Sequence, residues 1–353
     1  MFDSQTRREF IARSAALVGG AVAIGSGVGL LEACASPPST SSTATAGPAL
    51  TLKFAHVDQT PAIPAQIVAK FKEIIEKNTR GRITVSDFPN AQLGSEADSM
   101  KQVVAGTLEM SIASSNTLPT YFSQWSILDG PYLFTSLDQA AKVLWGAPGR
   151  TLAAGFAPVG IHLFNPMPGL PRNVLTTQKW GPITKPTDLK GMKARTVASD
   201  LYVNMWKAWG ANPIPIAFNE IYTSFQTGAV QGSDSSNDNV VIQKLNEVIK
   251  YVALTNHIYT ANAVVGSEKF FQSLSKTDQK IVTDSVQEAL QFGLDTARTA
   301  DAGLISQLKT LGVTFNDVDK PAFIAATRSV SDQTAQKAGA NDLLAEIRKL
   351  AGT

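Results

Sequence analysis

Alternating strand and helix patterns constrain the fold of this chain more than any other feature. Residues 50–55 alternate apolar and polar side chains and predict a strand, and residues 63–75 place isoleucine and phenylalanine at helix-face spacing. Residues 83–85 predict a second strand, Ser95 an N-cap for the next helix, and residues 108–112 a third strand. This order indicates a parallel sheet covered by helices.

A comparable pattern recurs in the second half of the chain. Residues 192–197 predict a strand, residues 201–209 a helix and residues 214–216 another strand. Asn219 is the expected N-cap of the next helix, which runs to Gly228. The sequence therefore predicts an α/β fold with two lobes, and a cleft between lobes is a preferred place for a ligand.

A long helical pattern covers residues 275–310, which exceeds the length of most helices in globular proteins. It predicts either one helix that bridges the two lobes or two helices that are broken near residues 301–303. Both alternatives place a long helix toward the C-terminal end of the chain.

The N-terminus has the composition of a targeting segment. Arg7 and Arg8 precede residues 15–31, which are apolar or small and carry no charge. This run is short for a membrane span, which needs about 20 predominantly apolar residues. Paired arginines before an apolar run indicate a Tat export signal, and an ordinary Sec signal with two incidental arginines is the alternative. Either signal predicts a periplasmic protein.

Cys34 is the single cysteine of the chain and cannot form an internal disulfide. The residues around it are typical of a lipoprotein cleavage box, which would lipidate Cys34, and also fit the small-x-small cleavage site of a soluble secreted protein. A lone cysteine in an exported protein favours the lipoprotein alternative. We therefore predict a signal and lipobox region over residues 1–35. Residues 36–48 are uncharged and rich in Pro, Ser, Thr and Ala, which predicts a flexible linker.

Composition and motif spacing disfavour several classes of function. The formal net charge is +2 and no basic cluster indicates a nucleic-acid partner. His56, His162 and His257 are isolated in sequence, so no metal-binding spacing occurs. No nucleophile elbow follows the signal segment. We predict that the protein is not an enzyme and needs no cofactor.

Two arginines are the most informative candidates for a binding site. Arg195 follows Ala194 in a strand that is otherwise mostly small and apolar, and Arg172 lies in a Pro/Gly-rich stretch that is a candidate crossing between lobes. Each is compatible with an ordinary surface charge. The functional alternative is a planar donor that grips a carboxylate with two parallel hydrogen bonds.

Six stretches, in order, resemble the extracytoplasmic solute receptors of TRAP transporters, the DctP-like family. They lie at residues 52–57, 88–94, 128–134, 188–195, 210–213 and 220–228, with sequences LKFAHV, FPNAQLG, LDGPYLF, DLKGMKAR, GANP and EIYTSFQTG. The resemblance covers nearly all of the chain after the signal. It implies a type II periplasmic-binding-protein fold, with two α/β lobes that close around a ligand.

The resemblance also implies roles for individual residues. Arg195 would form the salt bridge to a ligand carboxylate and Arg172 would supply a second contact. The family usually has D-G-Q-E-N where this chain has residues 231–235, so Asp234 and Ser235 are shorter than their counterparts. Ser235 favours a less polar distal group on the ligand. The other expected ligand-binding residues are Val57, Ser114, Asn116, Asn212, Phe218 and Tyr222, with Phe218 and Tyr222 equally compatible with a structural role.

The resemblance implies a division into lobes and a function. Lobe I is expected to contain residues 49–169 and 261–300, and lobe II residues 170–260 and 301–353. The expected function is capture of a small organic acid and its delivery to a TRAP permease by a monomeric protein. A receptor that feeds a sensor kinase and, less favoured, an exported enzyme are the alternatives. Dicarboxylates, 2-oxo acids, aromatic acids and sugar acids all satisfy Arg195.

Overall fold

The computed structural model describes residues 48–353, so the predicted signal region and Cys34 lie outside the described residues, as does nearly all of the predicted linker. The described part alternates strands and helices. In chain order they are β1 (Leu50–Ala55), α1 (Ile63–Asn78), β2 (Ile83–Phe88), α2 (Glu96–Ala105), β3 (Met110–Ala113), α3 (Leu137–Leu144), α4 (Ala147–Ala154), β4 (Ile161–Thr176), β5 (Lys193–Thr196), α5 (Asp200–Ala208), β6 (Asn212–Pro215), α6 (Ile221–Gln226), β7 (Gly232–Ser235), α7 (Asn237–Ile242), β8 (Tyr251–Ser267), α8 (Glu268–Ser273), α9 (Lys276–Thr310), β9 (Thr314–Asn316), α10 (Lys320–Ala338) and α11 (Asn341–Ala351).

The strands of the described residues form one sheet in the order β2-β1-β3-β8-β4-β7-β5-β6, with β9 paired to β8. β1 is parallel to β2 and β3, and β5 is parallel to β6 and β7. The predicted α/β fold with a parallel group of strands in each half is therefore confirmed. The two groups are joined by β4 and β8, which are antiparallel to each other and were not predicted as strands.

The β4–β8 pair is long and irregular. Its register shifts three times, and Pro166, Pro168 and Pro171 lie at or beside these shifts. Proline has no N–H to donate, so a strand that contains it cannot keep a continuous ladder. At Gly169 a Cβ atom would lie 2.3 Å from Thr260 Oγ1, so only glycine allows the two strands to approach this closely. The stretch around Arg172, which the sequence indicates as a candidate crossing, lies in β4 between the two groups of parallel strands.

Helix α9 is one continuous helix of 35 residues, which excludes the alternative of a break near residues 301–303. Val286 packs in a hydrophobic cluster with β1, β2 and α1. Leu308, six turns later, packs in a different cluster with α6 and the start of β8. The helix therefore spans both groups of strands, as the single-helix alternative predicts.

Of the two predicted N-cap residues, one was confirmed and the other was wrong. Ser95 caps α2 in a capping box with Asp98, as predicted. Asn219 does not cap α6, because it lies inside a 3-10 turn, Phe218–Glu220, that leads directly into the helix at Ile221. A helix that continues from a 3-10 turn has no free first turn for a side chain to cap.

The C-terminal helices contact both halves of the molecule. Phe323 of α10 packs with Trp209 beside β5, whereas Leu344 and Ile347 of α11 belong to a cluster with α2, α3 and α4. The division into two lobes at residues 169–170, 260–261 and 300–301 remains a prediction. Among the described helices, none combines the length and apolarity needed to cross a membrane.

Candidate functional site

A cavity of about 400 Å³ lies where the carboxyl ends of the parallel strands meet the β4–β8 crossing. β1, β3, β5, β6 and β7 each contribute residues at or just after their last position, and β4 and β8 contribute the floor. Ligands of open α/β sheets bind at the carboxyl ends of strands. The architecture therefore places a ligand-sized space where the fold class predicts one.

Arg172 is fixed within this cavity by an internal partner. Its Nε and Nη2 donate to a side-chain oxygen and to the backbone oxygen of Asp234, the latter at 2.7 Å; the Arg172 side chain is 11% exposed and that of Asp234 is fully buried. The guanidinium also lies 5.4 Å from the ring centroid of Tyr202. Burial alone would lower the pKa of Arg172, but Asp234 overcomes this and raises it above the ordinary value.

Asp234 is held in turn by a buried network. Although burial raises its pKa, Arg172 and His257 keep the pKa of Asp234 well below its ordinary value. Burial lowers the pKa of His257, which favours the neutral ring. The Thr255 hydroxyl accepts a hydrogen bond from Val174 N and can donate its own hydrogen to His257 Nδ1, which lies 2.9 Å away. The neutral ring then carries its proton on Nε2, which can donate to Asp234 at 3.3 Å. Arg172 therefore has a fixed position before any ligand arrives.

Arg195 has a different environment, although it lines the same cavity. Only 2% of the residue is exposed, and its Nε donates to Ile216 O at 2.9 Å. Among residues 48–353 it has no salt-bridge partner. Burial, together with the charge of Arg172, lowers the pKa of Arg195 to about 10, so it remains cationic at neutral pH. Within the described part of the chain, Arg195 is thus a buried cation without a counter-ion.

The opposite wall carries acidic and amide groups from the first half of the chain. Glu96, the first residue of α2, accepts from Ser114 N at 2.8 Å and from Ser114 Oγ at 2.7 Å. Asp58 follows β1, and burial raises its pKa to about 6, although His56 opposes the shift. Asn262 of β8 accepts from Ser115 N at 3.0 Å, which joins the strand crossing to the end of β3.

The structure brings together most of the residues that the sequence singled out. The cavity is lined by Arg172, Arg195, Ser235, Ser114, Asn116, Phe218 and Val57. Asp234 lies behind Arg172 and is fully buried. These residues come from separate stretches of sequence, and their convergence follows from the shared edge of the sheet.

Asn212 and Tyr222 do not reach the cavity. Asn212 is exposed and pairs with Lys193 at the far end of β5 from the cavity, where its amide donates to Gly191 O. Tyr222 is half-buried against a separate hydrophobic cluster, and its hydroxyl donates to Glu247 at 2.7 Å. For Asn212 the strand is correct, since Pro215 of β6 lines the cavity, but Asn212 lies at the other end of that strand. For Tyr222 the helix itself, α6, contributes no residue to the cavity.

Sequence reasoning missed several lining residues. Glu96 has the pattern of an ordinary first-turn acid beside its capping serine, which favours a structural role. Thr260 and Asn262 lie in β8, and no local motif marks them. Asn262 contacts Ser115, 147 residues earlier, and Thr260 faces Gly169 of β4. His257 was isolated in sequence, and only the β4–β8 pairing reveals its contact with Asp234.

No cluster of His, Cys, Asp or Glu within residues 48–353 has the arrangement to hold a metal ion. The arrangement that is present consists of two arginines at one wall and carboxylate and amide groups at the other. Such a cavity can bind an anion by its charged end and hold a polar remainder.

Residues 54–338 match the family model DctP, described as bacterial extracellular solute-binding protein, family 7. The 2,3-diketo-L-gulonate-binding periplasmic protein YiaO of Escherichia coli is 31% identical over 278 residues, which cover 78% of this chain and 84% of that protein. The match spans both halves of the described fold.

Solved structures agree with this result. A TRAP periplasmic solute binding protein from a Sulfitobacter species, with bound β-D-galacturonate, superposes with a TM-score of 0.79 at 25% identity and covers 86% of this chain and 100% of that chain. One from Sulfurospirillum deleyianum, with bound succinate, has the same TM-score, identity and coverage. The two neighbours differ in the class of acid that they hold.

Proposed function

Because this chain belongs to family 7 of the bacterial extracellular solute-binding proteins, the DctP-like receptors of TRAP transporters, we propose that it captures a small organic acid in the cavity described above. The proposed partner is a membrane permease, to which the loaded protein delivers the acid. The family consists of solute-binding receptors, and the proposal contains no chemical step and no cofactor.

The observation that carries this proposal is the environment of Arg195. A buried charge without a partner is unfavourable unless something compensates it. A ligand carboxylate supplies that compensation with two parallel hydrogen bonds to the free guanidinium nitrogens. The cavity is therefore prepared for an anion and disfavours neutral solutes.

Arg172 has a supporting role in the proposal. Asp234 and His257 hold the guanidinium in place, and its Nη1, which makes no hydrogen bond among residues 48–353, is available to a ligand. A donor that is already fixed loses little conformational entropy when the ligand binds, which raises affinity. We propose that Arg172 orients the acid while Arg195 neutralises it.

The β4–β8 crossing offers the means for the lobes to close. Its register shifts lie beside the cavity floor, where Gly169 and Thr260 face each other. Hinges are formed by a few residues that absorb changes in backbone angles. We propose that closure around the acid creates the composite surface that the permease recognises. Export by a Tat-like signal, with or without a lipid on Cys34, is part of the same proposal.

A thermal-shift screen of the purified protein against small carboxylates and uncharged sugars tests the proposal. An acid at 100 times its dissociation constant should stabilise the folded state by about 2.7 kcal/mol. The shift should disappear in Arg195→Ala and persist in Arg328→Ala, which removes an exposed arginine from α10. A shift with uncharged sugars only, or one that Arg195→Ala leaves intact, would show that the anion site is assigned wrongly.

A further inference from the structure

The acidic wall of the cavity restricts what the uncharged end of a bound acid can be. Glu96 is half-buried and both of its carboxylate oxygens are within 3 Å of Ser114 Oγ. A hydroxyl has one hydrogen, so Ser114 Oγ, which gives its hydrogen to Glu96, can act only as an acceptor, either toward Thr117 Oγ1 at 3.1 Å or toward a ligand. Glu96 lines the cavity, and its carboxylate oxygens have capacity to accept further hydrogen bonds.

Asp58 adds a second acceptor to the same wall. Its side chain is 26% exposed, and its Oδ2 lies 3.8 Å from Nδ1 of His56, which is beyond hydrogen-bond distance. No side chain among residues 48–353 donates a hydrogen bond to the Asp58 carboxylate. Asp58 and Glu96 both line the cavity, so its first-half wall has more acceptors than donors.

The charges across the cavity match one carboxylate and not two. Arg172 is neutralised by Asp234, so of the two arginines that line the cavity only Arg195 has no acidic partner among residues 48–353. A second ligand carboxylate at the far wall would meet Glu96 and Asp58, and like charges brought together in an interface are strongly unfavourable. A ligand hydroxyl, in contrast, donates to either carboxylate in a charge-assisted hydrogen bond.

We propose that this cavity selects hydroxylated monocarboxylic acids, the chemical class of the sugar acids, and rejects dicarboxylic acids because Glu96 and Asp58 bind ligand hydroxyls and repel a second carboxylate. This inference rests on the function proposed above. It replaces the expectation, drawn from Ser235, of a less polar distal group. Ser235 does line the cavity, but the acidic wall opposite the arginines sets the preference.

Titration calorimetry of the purified protein with two matched panels tests the class. One panel holds aldonates and uronates of four to six carbons, including D-erythronate and D-galacturonate, and the other holds unsubstituted dicarboxylates of the same lengths. A site built to bind hydroxyls rejects analogues that lack them by large factors, so we expect at least about a 100-fold preference for the best sugar acid. An unsubstituted dicarboxylate that binds as tightly would overturn the inference and leave the proposed function intact. Failure of every carboxylate to bind would overturn both.

Variants of the acidic wall separate selectivity from stability. Glu96→Gln should weaken the best sugar acid by about tenfold, because charge-assisted hydrogen bonds are about twice as strong as neutral ones. The same variant should leave the affinity for the dicarboxylates unchanged or increase it. Glu73→Gln, which removes an exposed carboxylate from α1, is the matched control and should change neither affinity.

The ratio of the two affinities is the decisive readout, because a general folding defect would weaken both classes together. Asp58→Asn provides an independent variant and should reduce the ratio in the same direction. If the ratio of sugar acid to dicarboxylate affinity stays at its wild-type value in both variants, the acidic wall does not determine selectivity and the inference is wrong.

Discussion

The surroundings of Arg172 and Arg195 differ, although the two residues line one cavity and lie in one sheet. Arg172 has a buried carboxylate partner, which is itself held by His257 and Trp206. Arg195 has a backbone carbonyl on Nε and no acidic partner among the described residues. In the ligand-free protein the charge of Arg172 is paired, whereas that of Arg195 has no acidic partner among the described residues.

This difference separates two uses of a buried cation. A paired cation contributes to a defined structure, and removal of one partner leaves the other charge buried and uncompensated. An unpaired buried cation lowers the free energy of unfolding of the ligand-free protein, and a bound anion removes that penalty. The comparison therefore predicts that similar substitutions at the two positions will have different effects on stability.

The largest expected effect is at Arg172. Arg172→Met leaves Asp234 buried without its cation, which should lower the free energy of unfolding by about 3–5 kcal/mol in the absence of ligand. Because the pKa of Asp234 is lower in the folded than in the unfolded protein, the ionised carboxylate stabilises the native state at pH values above the unfolded pKa of about 3.9. The native state loses this stabilisation as the pH falls through the lower, folded pKa. The variant should therefore also lose much of this acid-dependent stability, as measured by urea unfolding at several pH values.

Arg348→Met is the control for that experiment, because the ion pair of Arg348 with Asp332 lies at the surface. Surface pairs contribute about 0–1 kcal/mol. Equal losses in Arg172→Met and Arg348→Met would mean that the Asp234 network does not hold Arg172 as described.

A smaller effect of opposite sign is expected at Arg195. Arg195→Met removes an uncompensated buried charge, so the empty protein should keep its stability or gain about 1 kcal/mol. Loss of ligand affinity should be large, about 2–5 kcal/mol by calorimetry. A loss of 3 kcal/mol or more in the stability of the empty protein would contradict the contrast with Arg172, since it would require an internal partner for Arg195.

Asp58 extends the comparison to the acidic wall. The folded pKa of Asp58, about 6, lies above its ordinary value, so the ionised carboxylate is less favourable in the native than in the unfolded protein. The native protein therefore loses stability as the pH rises from about 4 to 6 and Asp58 ionises. Asp58→Asn should therefore be more stable than wild type by about 1–2 kcal/mol above pH 7. The difference should vanish below pH 4.

Thermal unfolding over that pH range measures this effect. Asp284→Asn on the exposed surface of α9 is the control and should show no such pH dependence. A constant difference between Asp58→Asn and wild type at all pH values would indicate a packing effect and would remove the electrostatic explanation.

The smallest effects are expected at the two predicted residues outside the cavity. Asn212→Ala and Tyr222→Phe should change the affinity for the bound acid by less than about 0.5 kcal/mol, as surface substitutions do. Calorimetry with the best ligand from the screen measures this. A tenfold loss in either variant would mean that closure brings the side chain to the ligand from its present surface position.

Much of the fold could be predicted from local patterns, because β1, α1, β2, α2 and β3 follow each other with regular periodicity and clear end signals. The long strand β4 could not. Its three prolines and Gly169 are typical of loops, and it becomes a strand because it pairs with β8 along its length. Tertiary pairing overrides the local preference at that place.

The same limit applies to the site. Arg195 and Ser114 could be expected at the site because the resemblance to the family implies it, and both lie close to the end of a strand at the edge where ligands bind. Glu96 and Asn262 depend on contacts across long sequence separations, which a single sequence does not reveal. The register of β6 determines that Asn212 faces away, and register is fixed by pairing.

The position of β3 in the sheet has a consequence for synthesis of the chain. β3 lies between β1 and β8, and its residues 110–113 pair with residues 263–266. A ribosome must therefore add about 150 further residues after β3 before its second edge is covered. During that interval the nascent chain presents an open strand edge, which is prone to pair with other chains. Chaperones that hold unfolded segments should bind fragments ending near residue 250 far more strongly than the completed protein.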